Sequence, residues 1–284
     1  MILVTGATGT IGRHVVRLLQ QGGHPFRAMS RHPSGAGTVR ADFDDPASLR
    51  RAVTGVRAVF LLTAPAVPSP DHDLTLLAAA REAGVASIVK LSAIGTGERF
   101  GEVTVGAWHQ AAERAVRASG MAWTMLRPSS FAANVRHWAA LIDAGQPVPN
   151  LTGDGRQGVV DPRDIAAVAV EALTDPVHAG RTYTLTGPEL LSVPEQARQL
   201  EQVIGRPVTT VDLPPADAAS HLLAAGLPPA AVDATVTGSA WARAGHNAIL
   251  TGDVAAVLGR PPATFRDWAE THFVIDHRAA GERL

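Results

Sequence analysis

A few side chains in this sequence could move a proton, and their spacing limits how they could cooperate. The chain contains one tyrosine, Tyr183, and one lysine, Lys90. A tyrosine four residues before a lysine would place a phenol and an ammonium group on one helix face, where the pair could protonate a product. Here the lysine comes first and the two residues are far apart, so this pair cannot form.

A second candidate pair is His109 with Glu113. They stand four residues apart in a stretch with helical periodicity, so their side chains share one face and could touch. Because an imidazole has an ordinary pKa of about 6.5, His109 could donate a proton or contact a substrate near neutral pH. An ordinary surface pair, or a hydrogen-bonded structural histidine, explains the same spacing equally well.

The first predicted strand-to-helix junction carries three glycines. Residues 1–5 form a short apolar run with β-branched residues, which predicts a buried strand, and residues 11–19 have apolar positions at helical spacing. Gly6, Gly9 and Gly12 lie at the junction, where they allow a tight turn and a close approach of the backbone to a pyrophosphate. The helix N-terminus favours the same anion. The junction therefore predicts a dinucleotide site, with contacts from Gly6, Thr8, Gly9, Thr10, Ile11 and Gly12.

The end of the second strand, predicted over residues 25–30, indicates which dinucleotide binds. A carboxylate about 20 residues past the glycine loop would hold the 2′-hydroxyl of NAD. The sequence there is Met29-Ser30-Arg31-His32 and has no carboxylate. Arg31 offers a planar charged fork that suits a 2′-phosphate, although a solvated loop arginine is the alternative. The sequence favours NADPH as the cofactor.

Strand-like and helix-like stretches alternate along the rest of the chain. Strands are predicted over residues 58–62, 87–91, 123–126 and 181–186, and helices over residues 73–83, 107–119 and from about Asp161, with Asp164 as the expected N-cap of the last. The alternation predicts an α/β Rossmann fold with a doubly wound parallel sheet and the cofactor at the C-terminal ends of its strands. The residues at those ends are candidate contacts: Thr63, Ala64, Ser92, Pro128 and Ser129. We expect an NADP-binding domain over residues 1–186 and a smaller, mostly helical lobe over residues 187–284 that covers the substrate, with contributions from residues 131–160.

Composition excludes several other classes. The net charge is −1 with both signs mixed, so neither a nucleic-acid surface nor a membrane anchor is expected. With no cysteine there is no disulfide and no thiolate site, and the 11 scattered histidines predict no metal site. No apolar run reaches the roughly 20 residues that span a bilayer, and Met1 leads directly into a strand, so we expect a cytoplasmic protein.

These landmarks together resemble the NmrA-like, atypical short-chain dehydrogenase/reductase family, which includes quinone reductases and triphenylmethane-dye reductases. The resemblance covers nearly the whole chain and rests on five segments: Val4 to Gly12, Ala41 to Leu49, Trp108-His109 with Glu113, Leu126-Arg127-Pro128 with Phe131 and Asn134, and Val160 to Ala166. It implies an NADP-binding Rossmann domain with adenine near Asp42 and Phe43. It also implies that nicotinamide lies near Thr63, Ser92 and the turn from Pro128 to Phe131.

The resemblance also frames the function. His109 and Glu113 stand roughly where better-known relatives carry their tyrosine and lysine. The leading interpretation is an NADPH-dependent reductase that passes hydride to a planar, electron-poor small molecule such as a quinone, an aromatic polyketide or a dye, because such an acceptor has little need for a protein acid. A ketoreductase with His109 as proton donor, and a non-catalytic NADP(H) sensor, are the alternatives. Ser92 could orient a carbonyl or contact the nicotinamide ribose. The assembly state, including a homodimer, stays open.

Overall fold

A computed structural model describes the backbone of residues 1–281 and the side chains of residues 1–273. The chain divides into two compact units. The first comprises Met1–Pro128, Pro162–Leu185 and Ala256–Gly259. The second comprises Ser129–Asp161, Thr186–Ala255 and the described residues from Arg260 onward. The expected division into a domain over residues 1–186 and a lobe over residues 187–284 stays a prediction. Residues 282–284 of that lobe lie outside the described residues.

The secondary structure alternates through most of the chain. The strands are β1 (Ile2–Val4), β2 (Phe26–Ser30), β3 (Thr38–Arg40), β4 (Ala58–Leu61), β5 (Ser87–Leu91), β6 (Arg99–Phe100), β7 (Val103–Thr104), β8 (Ala122–Pro128), β9 (Val148–Asn150), β10 (Gln157–Gly158), β11 (Arg181–Leu185), β12 (Leu190–Leu191) and β13 (Thr210–Asp212). The α-helices are α1 (Gly12–Gln21), α2 (Pro46–Val53), α3 (Asp71–Glu82), α4 (Ala107–Arg117), α5 (Ala139–Asp143), α6 (Pro162–Thr174), α7 (Val193–Ile204), α8 (Pro215–Ala224), α9 (Pro229–Arg243), α10 (Asp253–Leu258) and α11 (Phe265–Gly281). Short 3-10 helices lie at Ala132–Trp138 and Pro176–His178.

The first unit is built on a seven-stranded parallel sheet in the order β11-β8-β5-β4-β1-β2-β3. Because all seven strands run the same way, their C-terminal ends share one edge, here called the carboxyl edge. The chain order reverses between β1 and β4, and doubly wound sheets bind dinucleotides at such a switch point. The predicted Rossmann architecture is confirmed.

Burial explains why these segments form central strands. All four residues of β4 and all three of β1 are buried, as expected for strands covered by helices on both faces. Helices α1 and α6 pack together in this unit, and α3 packs against both α2 and α4. The larger hydrophobic core includes Leu3, Val59, Leu76 and Met125. This packing fixes the strand ends from which the candidate site residues project.

The second unit has a core of its own. The unit contains the small parallel pair of strands β9-β13 and the small antiparallel pair β10-β12, together with helices α5, α7, α8, α9 and α11. Trp268 and Phe265 are among its buried residues, with Leu200 of α7. Helix α7 begins with a capping box in which Ser192 and Glu195 bond reciprocally. The expected mostly helical character of the C-terminal region is confirmed.

The predicted elements agree with the structure apart from shifted ends and one wrong cap. Helix α6 begins at Pro162, and Asp164 lies buried inside its first turn, so the N-cap expected at Asp164 is wrong. Proline suits the first helical position because its fixed φ is helical and it lacks an N–H that would need a partner. The three-residue edge strand β3 had no recognisable pattern in the sequence.

Candidate active site

The glycine loop has the backbone geometry that the sequence predicts. Gly6 has a φ of +59°, a conformation that side chains disfavour, and its N-terminal neighbour Thr5 ties β1 to β4 by donating from Oγ1 to Leu62 O at 2.7 Å. A Cβ on Gly12 would lie 2.1 Å from the carbonyl oxygen of Gly6, whereas one on Gly9 would lie 3.3 Å from the same atom. Gly12 therefore lets α1 start directly against the loop.

The first turn of α1 leaves its positive end open. Ile11 is the N-cap residue and offers no side-chain cap, and the first turn has no acidic residue. Thr8, Gly9 and Thr10 are exposed. Arg13 N donates to Gly9 O and His14 N donates to Ile11 O, and the positive end of the helix dipole still favours an anion at the exposed loop. The loop fits a pyrophosphate.

A cleft with a volume of about 580 Å³ lies at the ends of β2 and β3. Three arginines line it, namely Arg31, Arg40 and Arg51, together with Asp42 and Asp45. Asp45 also caps α2 by accepting from Ala47 N and Ser48 N, and it lies 3.8 Å from Arg51. Arg31 is exposed at the end of β2, so its guanidinium is accessible to a phosphate on a bound nucleotide.

A neighbouring cleft contains Phe43, whose ring stacks on His72 with centroids 4.9 Å apart and planes 11° apart. His72 Nε2 also contacts Asp44 Oδ1 at 3.2 Å. Pro65 and Ala66, which follow β4, line the same cleft. Asp44 and Asp71 also line this cleft, so it combines a stacked aromatic pair with carboxylates, and the aromatic pair suits an adenine ring. Sequence reasoning missed His72, because its partner Phe43 lies in a separate loop.

The single lysine lies in a buried group of side chains behind the ends of β4 and β5. Lys90 Nζ is 2.7 Å from Asp73 Oδ1 and donates to Leu91 O at 2.9 Å. Thr63 Oγ1 donates to the other carboxylate oxygen of Asp73 at 2.9 Å. Burial lowers the pKa of Lys90 more than the charge of Asp73 raises it. We call Thr63, Asp73 and Lys90 the Lys90 cluster.

Glu113 is fully buried, and its carboxylate accepts three hydrogen bonds and forms one further ion pair. Ser92 Oγ donates to Oε1 at 2.7 Å, and Arg127 donates from Nε to Oε1 at 2.9 Å and from Nη2 to Oε2 at 2.7 Å. Arg117 Nη2 lies 3.0 Å from Oε2. Oε1 therefore accepts two hydrogen bonds, while Oε2 accepts one from Arg127 and lies within ion-pair distance of Arg117. We call Ser92, Glu113, Arg117 and Arg127 the Glu113 cluster.

The charge state of Glu113 follows from these contacts. Burial raises the pKa of Glu113, but the hydrogen bonds from Arg127 and Ser92 and the charges of Arg127 and Arg117 together outweigh it. The net pKa lies below the ordinary value, so Glu113 is ionised at neutral pH. An ionised carboxylate has no proton to give, so the hydroxyl of Ser92 must be the donor in their hydrogen bond.

His109 is not among these hydrogen-bond and ion-pair partners of Glu113, although the two residues share a helix face as predicted. Its ring stacks on Trp108 with centroids 3.5 Å apart, and its buried Nδ1 has no hydrogen-bond partner among the described residues. Burial lowers the pKa of His109, and the positive charge of Lys90 lowers it further, to about 3. His109 is therefore a neutral imidazole at neutral pH.

The single tyrosine lies in a different place. Tyr183 is in β11, two strands from β5, and its hydroxyl bonds His178 Nδ1 at 2.8 Å. The structure agrees with the sequence argument that Tyr183 and Lys90 form no pair.

The structure brings most of the predicted contacts to one edge of one unit. The carboxyl edge of the first unit carries Gly6, Thr8, Gly9, Thr10, Ile11, Gly12, Arg31, Asp42, Phe43, Thr63, Ala64, Ser92 and Pro128. Ser129 and Phe131 belong to the second unit. There Ser129 Oγ donates to Asn247 Oδ1 at 3.0 Å, and Phe131 pairs with Val160. The roles expected of all these residues stay predictions.

Comparison with known proteins identifies the class of the chain. Residues 6–176 match a family model described as NAD(P)H-binding. A (4-alkanoyl-5-oxo-2,5-dihydrofuran-3-yl)methyl phosphate reductase of Streptomyces griseus is 41% identical over 279 residues, covering 96% of this chain and 98% of the relative. An NAD(P)H azoreductase of Xenophilus azovorans is 37% identical over 281 residues, covering 96% and 98%.

A solved structure extends the similarity to the whole fold. The NADPH-dependent quinone oxidoreductase QOR2 of Escherichia coli, solved in complex with NADPH, superposes with a TM-score of 0.84 at 26% identity, covering 96% of this chain and 100% of that one. Among the described residues, no helix has the length and apolar character needed to cross a membrane.

The glycine loop, the parallel sheet and these matches agree with one another. The protein is an NAD(P)H-dependent oxidoreductase. The chain belongs to the NAD(P)H-binding family, and within it to the NmrA-like, atypical short-chain dehydrogenase/reductase type.

Proposed function

We propose that this protein transfers hydride from NADPH to a conjugated, electron-poor small molecule, such as a quinone, an aromatic polyketide or a dye. One observation carries the proposal: the acid–base groups near the ends of β4 and β5 are engaged with one another or are neutral. Lys90 is paired with Asp73, and the hydroxyl of Ser92 donates to Glu113. The pKa of His109 is lowered to about 3, so at neutral pH its imidazole is neutral and there is no imidazolium to act as an acid.

This arrangement favours some acceptors over others. When bound, the dihydronicotinamide ring supplies a hydride. A saturated ketone then needs a nearby acid, because its negative charge develops on one oxygen. A quinone or other conjugated acceptor spreads that charge over its own framework and can take its proton from water. The Lys90 and Glu113 clusters would hold the strand ends rigid without supplying a proton.

The relatives support the same class of acceptor. Their names describe the reduction of an acylated, unsaturated furanone phosphate, of azo compounds and of quinones. These molecules share a conjugated double bond that is poor in electrons. A common hydride acceptor of this chemical kind is consistent with a site that lacks a free acid.

Cofactor choice belongs to the same proposal. Arg31 is exposed at the end of β2, where a carboxylate would select NAD, and Arg40 and Arg51 line the same cleft. Together they supply positive charge for a 2′-phosphate. The E. coli relative was solved with NADPH, which agrees with this preference.

An acceptor panel tests the proposal. The purified protein is incubated with NADPH, and oxidation is followed at 340 nm with quinones, a conjugated enone and the matched saturated ketone. We expect many turnovers with at least one conjugated acceptor and none with its saturated counterpart. The Gly9→Trp variant, whose side chain would cover the exposed glycine loop, serves as the inactive control.

The alternatives predict other outcomes. Preferential reduction of the saturated ketone would favour a ketoreductase in which His109 donates the proton. Tight NADPH binding with no turnover on any acceptor, together with a partner protein that distinguishes NADP⁺ from NADPH, would favour the sensor.

A further inference from the structure

The hydrogen-bond directions around Ser92 define what its hydroxyl can do. Ser92 has one proton, and that proton points to Glu113 at 2.7 Å. Glu113 cannot return a proton because it is a carboxylate held by Arg127 and Arg117. The serine oxygen therefore keeps its lone pairs but has no hydrogen left for a second partner.

The nearest hydroxyl does not change this conclusion. Thr96 Oγ1 lies 3.3 Å from Ser92 Oγ, but it donates its own proton to Ala93 O at 2.7 Å. The lone pairs of Ser92 therefore receive no proton from Thr96. Apart from this contact with Thr96, the hydrogen bonds of the described residues bring no donor to the side-chain oxygen of Ser92.

The position of Ser92 indicates which ligand could satisfy it. Ser92 directly follows β5 at the carboxyl edge, and its backbone N–H donates to Leu126 O of β8 at 2.7 Å. Its neighbours along this edge are Thr63 at the end of β4 and Pro128 at the end of β8. Ser92 as a whole residue is 4% exposed, so only a small part of it is open to a ligand. In a doubly wound sheet, the C-terminal strand ends face the bound dinucleotide.

We propose that Ser92 is a hydrogen-bond acceptor for the nicotinamide nucleotide, and that Glu113 is the positioning residue that makes it one. The partner is an N–H or O–H group of the ligand, either the carboxamide of nicotinamide or a hydroxyl of the adjoining ribose. Ser92 then does not polarise a substrate carbonyl, which would require it to donate. This inference concerns the cofactor and holds whichever acceptor the enzyme reduces.

Calorimetric binding of NADP⁺ and of its 3-acetylpyridine analogue tests the proposal without any turnover. The analogue has a methyl ketone in place of the carboxamide and therefore lacks the N–H donors. Ser92→Ala should weaken NADP⁺ binding by roughly 3- to 10-fold, the range of one neutral hydrogen bond. Thr96→Val is the matched control, since it removes the neighbouring hydroxyl but leaves the oxygen of Ser92, and it should bind both ligands as the wild type does.

The two ligand sources give different patterns. If the carboxamide is the donor, Ser92→Ala should weaken NADP⁺ binding and leave the affinity for the analogue within twofold. If a ribose hydroxyl is the donor, the variant should weaken both ligands alike. Unchanged affinity for both ligands would overturn the proposal, and so would unchanged affinity together with a collapse of kcat on a ketone, because Ser92 would then serve the substrate.

A double-mutant cycle tests the part assigned to Glu113. Glu113→Gln keeps the size of the side chain and removes the charge that orients the serine proton. It should weaken NADP⁺ binding in the wild-type background and have no further effect in Ser92→Ala, because the residue acts through Ser92. Additive losses in folded variants would mean that Glu113 acts by another route and would overturn its positioning role.

Discussion

The glycine loop and the Glu113 cluster lie along the same edge of one sheet, but the loop is exposed to ligands, whereas the charged groups of the cluster are paired with one another. In the loop, Thr8 to Thr10 are exposed, and the first turn of α1 has neither a side-chain cap nor an acidic residue, so no protein anion occupies its positive end. In the cluster, Glu113 is buried and its carboxylate is held by three hydrogen bonds and one further ion pair, all from protein groups. The glycine loop can therefore bind the negative charge of a ligand, whereas the negative charge of Glu113 is already paired with arginines of the protein.

This difference separates binding from chemistry. The open loop needs a ligand anion to complete it, which explains why the cofactor class is readable from a few residues. The Glu113 cluster contains no protonated acid. The carboxyl edge near Ser92 can therefore orient a ligand but does not supply it with a proton. The reactivity must then come from the cofactor and from the acceptor itself.

The largest expected effect comes from closing the loop with one methyl group. Gly12→Ala would place a Cβ 2.1 Å from the carbonyl oxygen of Gly6, so α1 could not start in its present position. We expect a loss of unfolding free energy of about 3 kcal/mol and no measurable NADPH binding. Gly9→Ala is the matched control, because its Cβ would meet the same oxygen at 3.3 Å. Equal stability of the two variants in chemical denaturation would contradict the packing argument.

The next largest effect concerns the closed cluster. Glu113→Gln would take the charged partner from the partly exposed Arg127 and Arg117 and leave a neutral amide at the fully buried position, and we expect a loss of unfolding free energy of about 3 kcal/mol. Because the pKa of Glu113 is lowered in the fold, its contribution is complete above about pH 4.5 and disappears as the pH falls below that value. The fully exposed Glu102 provides the control, and Glu102→Gln should unfold like the wild type. A Glu113→Gln variant that is as stable as Glu102→Gln would show that the cluster does not stabilise the fold.

The sequence predicted the loop better than the cluster for a physical reason. Gly6, Gly9 and Gly12 act through backbone geometry within seven consecutive residues, so their spacing alone carries the information. The partners of Glu113 come from the residue after β5 and from β8, as well as from its own helix. Only Arg117, four residues later, could be inferred from helical spacing. Helical spacing also placed His109 beside Glu113, but it could not show that Ser92 and Arg127 would satisfy the carboxylate.

The same contrast applies to the adenine end. Arg31 was predicted from its distance past the loop, because the ends of β1 and β2 are fixed by the fold. Arg40, Arg51 and His72 were not predicted, because β3 is short and the clefts are formed by segments that meet only in the folded chain. Local motifs could therefore be predicted, and contacts between distant segments could not.

A moderate effect is expected for cofactor choice. Arg31→Asp would put a carboxylate where the 2′-phosphate is expected, so a preference for NADPH over NADH of at least about tenfold, or 1.4 kcal/mol, should disappear or invert. Fluorescence titration with both cofactors measures this ratio. Arg50→Asp, on the exposed face of α2, makes the same charge change without altering the lining of the cleft and should keep the preference. An unchanged ratio in Arg31→Asp would remove Arg31 from the phosphate site.

The smallest effect on turnover is expected at His109. A variant at this position tests whether His109 supplies a proton to the acceptor. His109→Phe should change kcat on a quinone by less than about threefold, because the wild-type imidazole is neutral and does not act as an acid. A loss of about a hundredfold would instead identify His109 as the proton donor. The exposed His221 of α8 provides the control, and His221→Phe should keep the wild-type kcat.

The stability of the same variant gives an independent measure of the closed site. Below about pH 6.5 the unfolded chain protonates His109, while the lowered pKa delays protonation in the fold until about pH 3. The unfolded state therefore binds more protons between these values, and the wild type loses stability as the pH falls through this window. His109→Phe should lose less stability than the wild type over the same range, whereas His221→Phe should follow the wild type. If all three proteins lose stability in parallel, His109 is not held neutral by its surroundings, and it becomes available again as an acid.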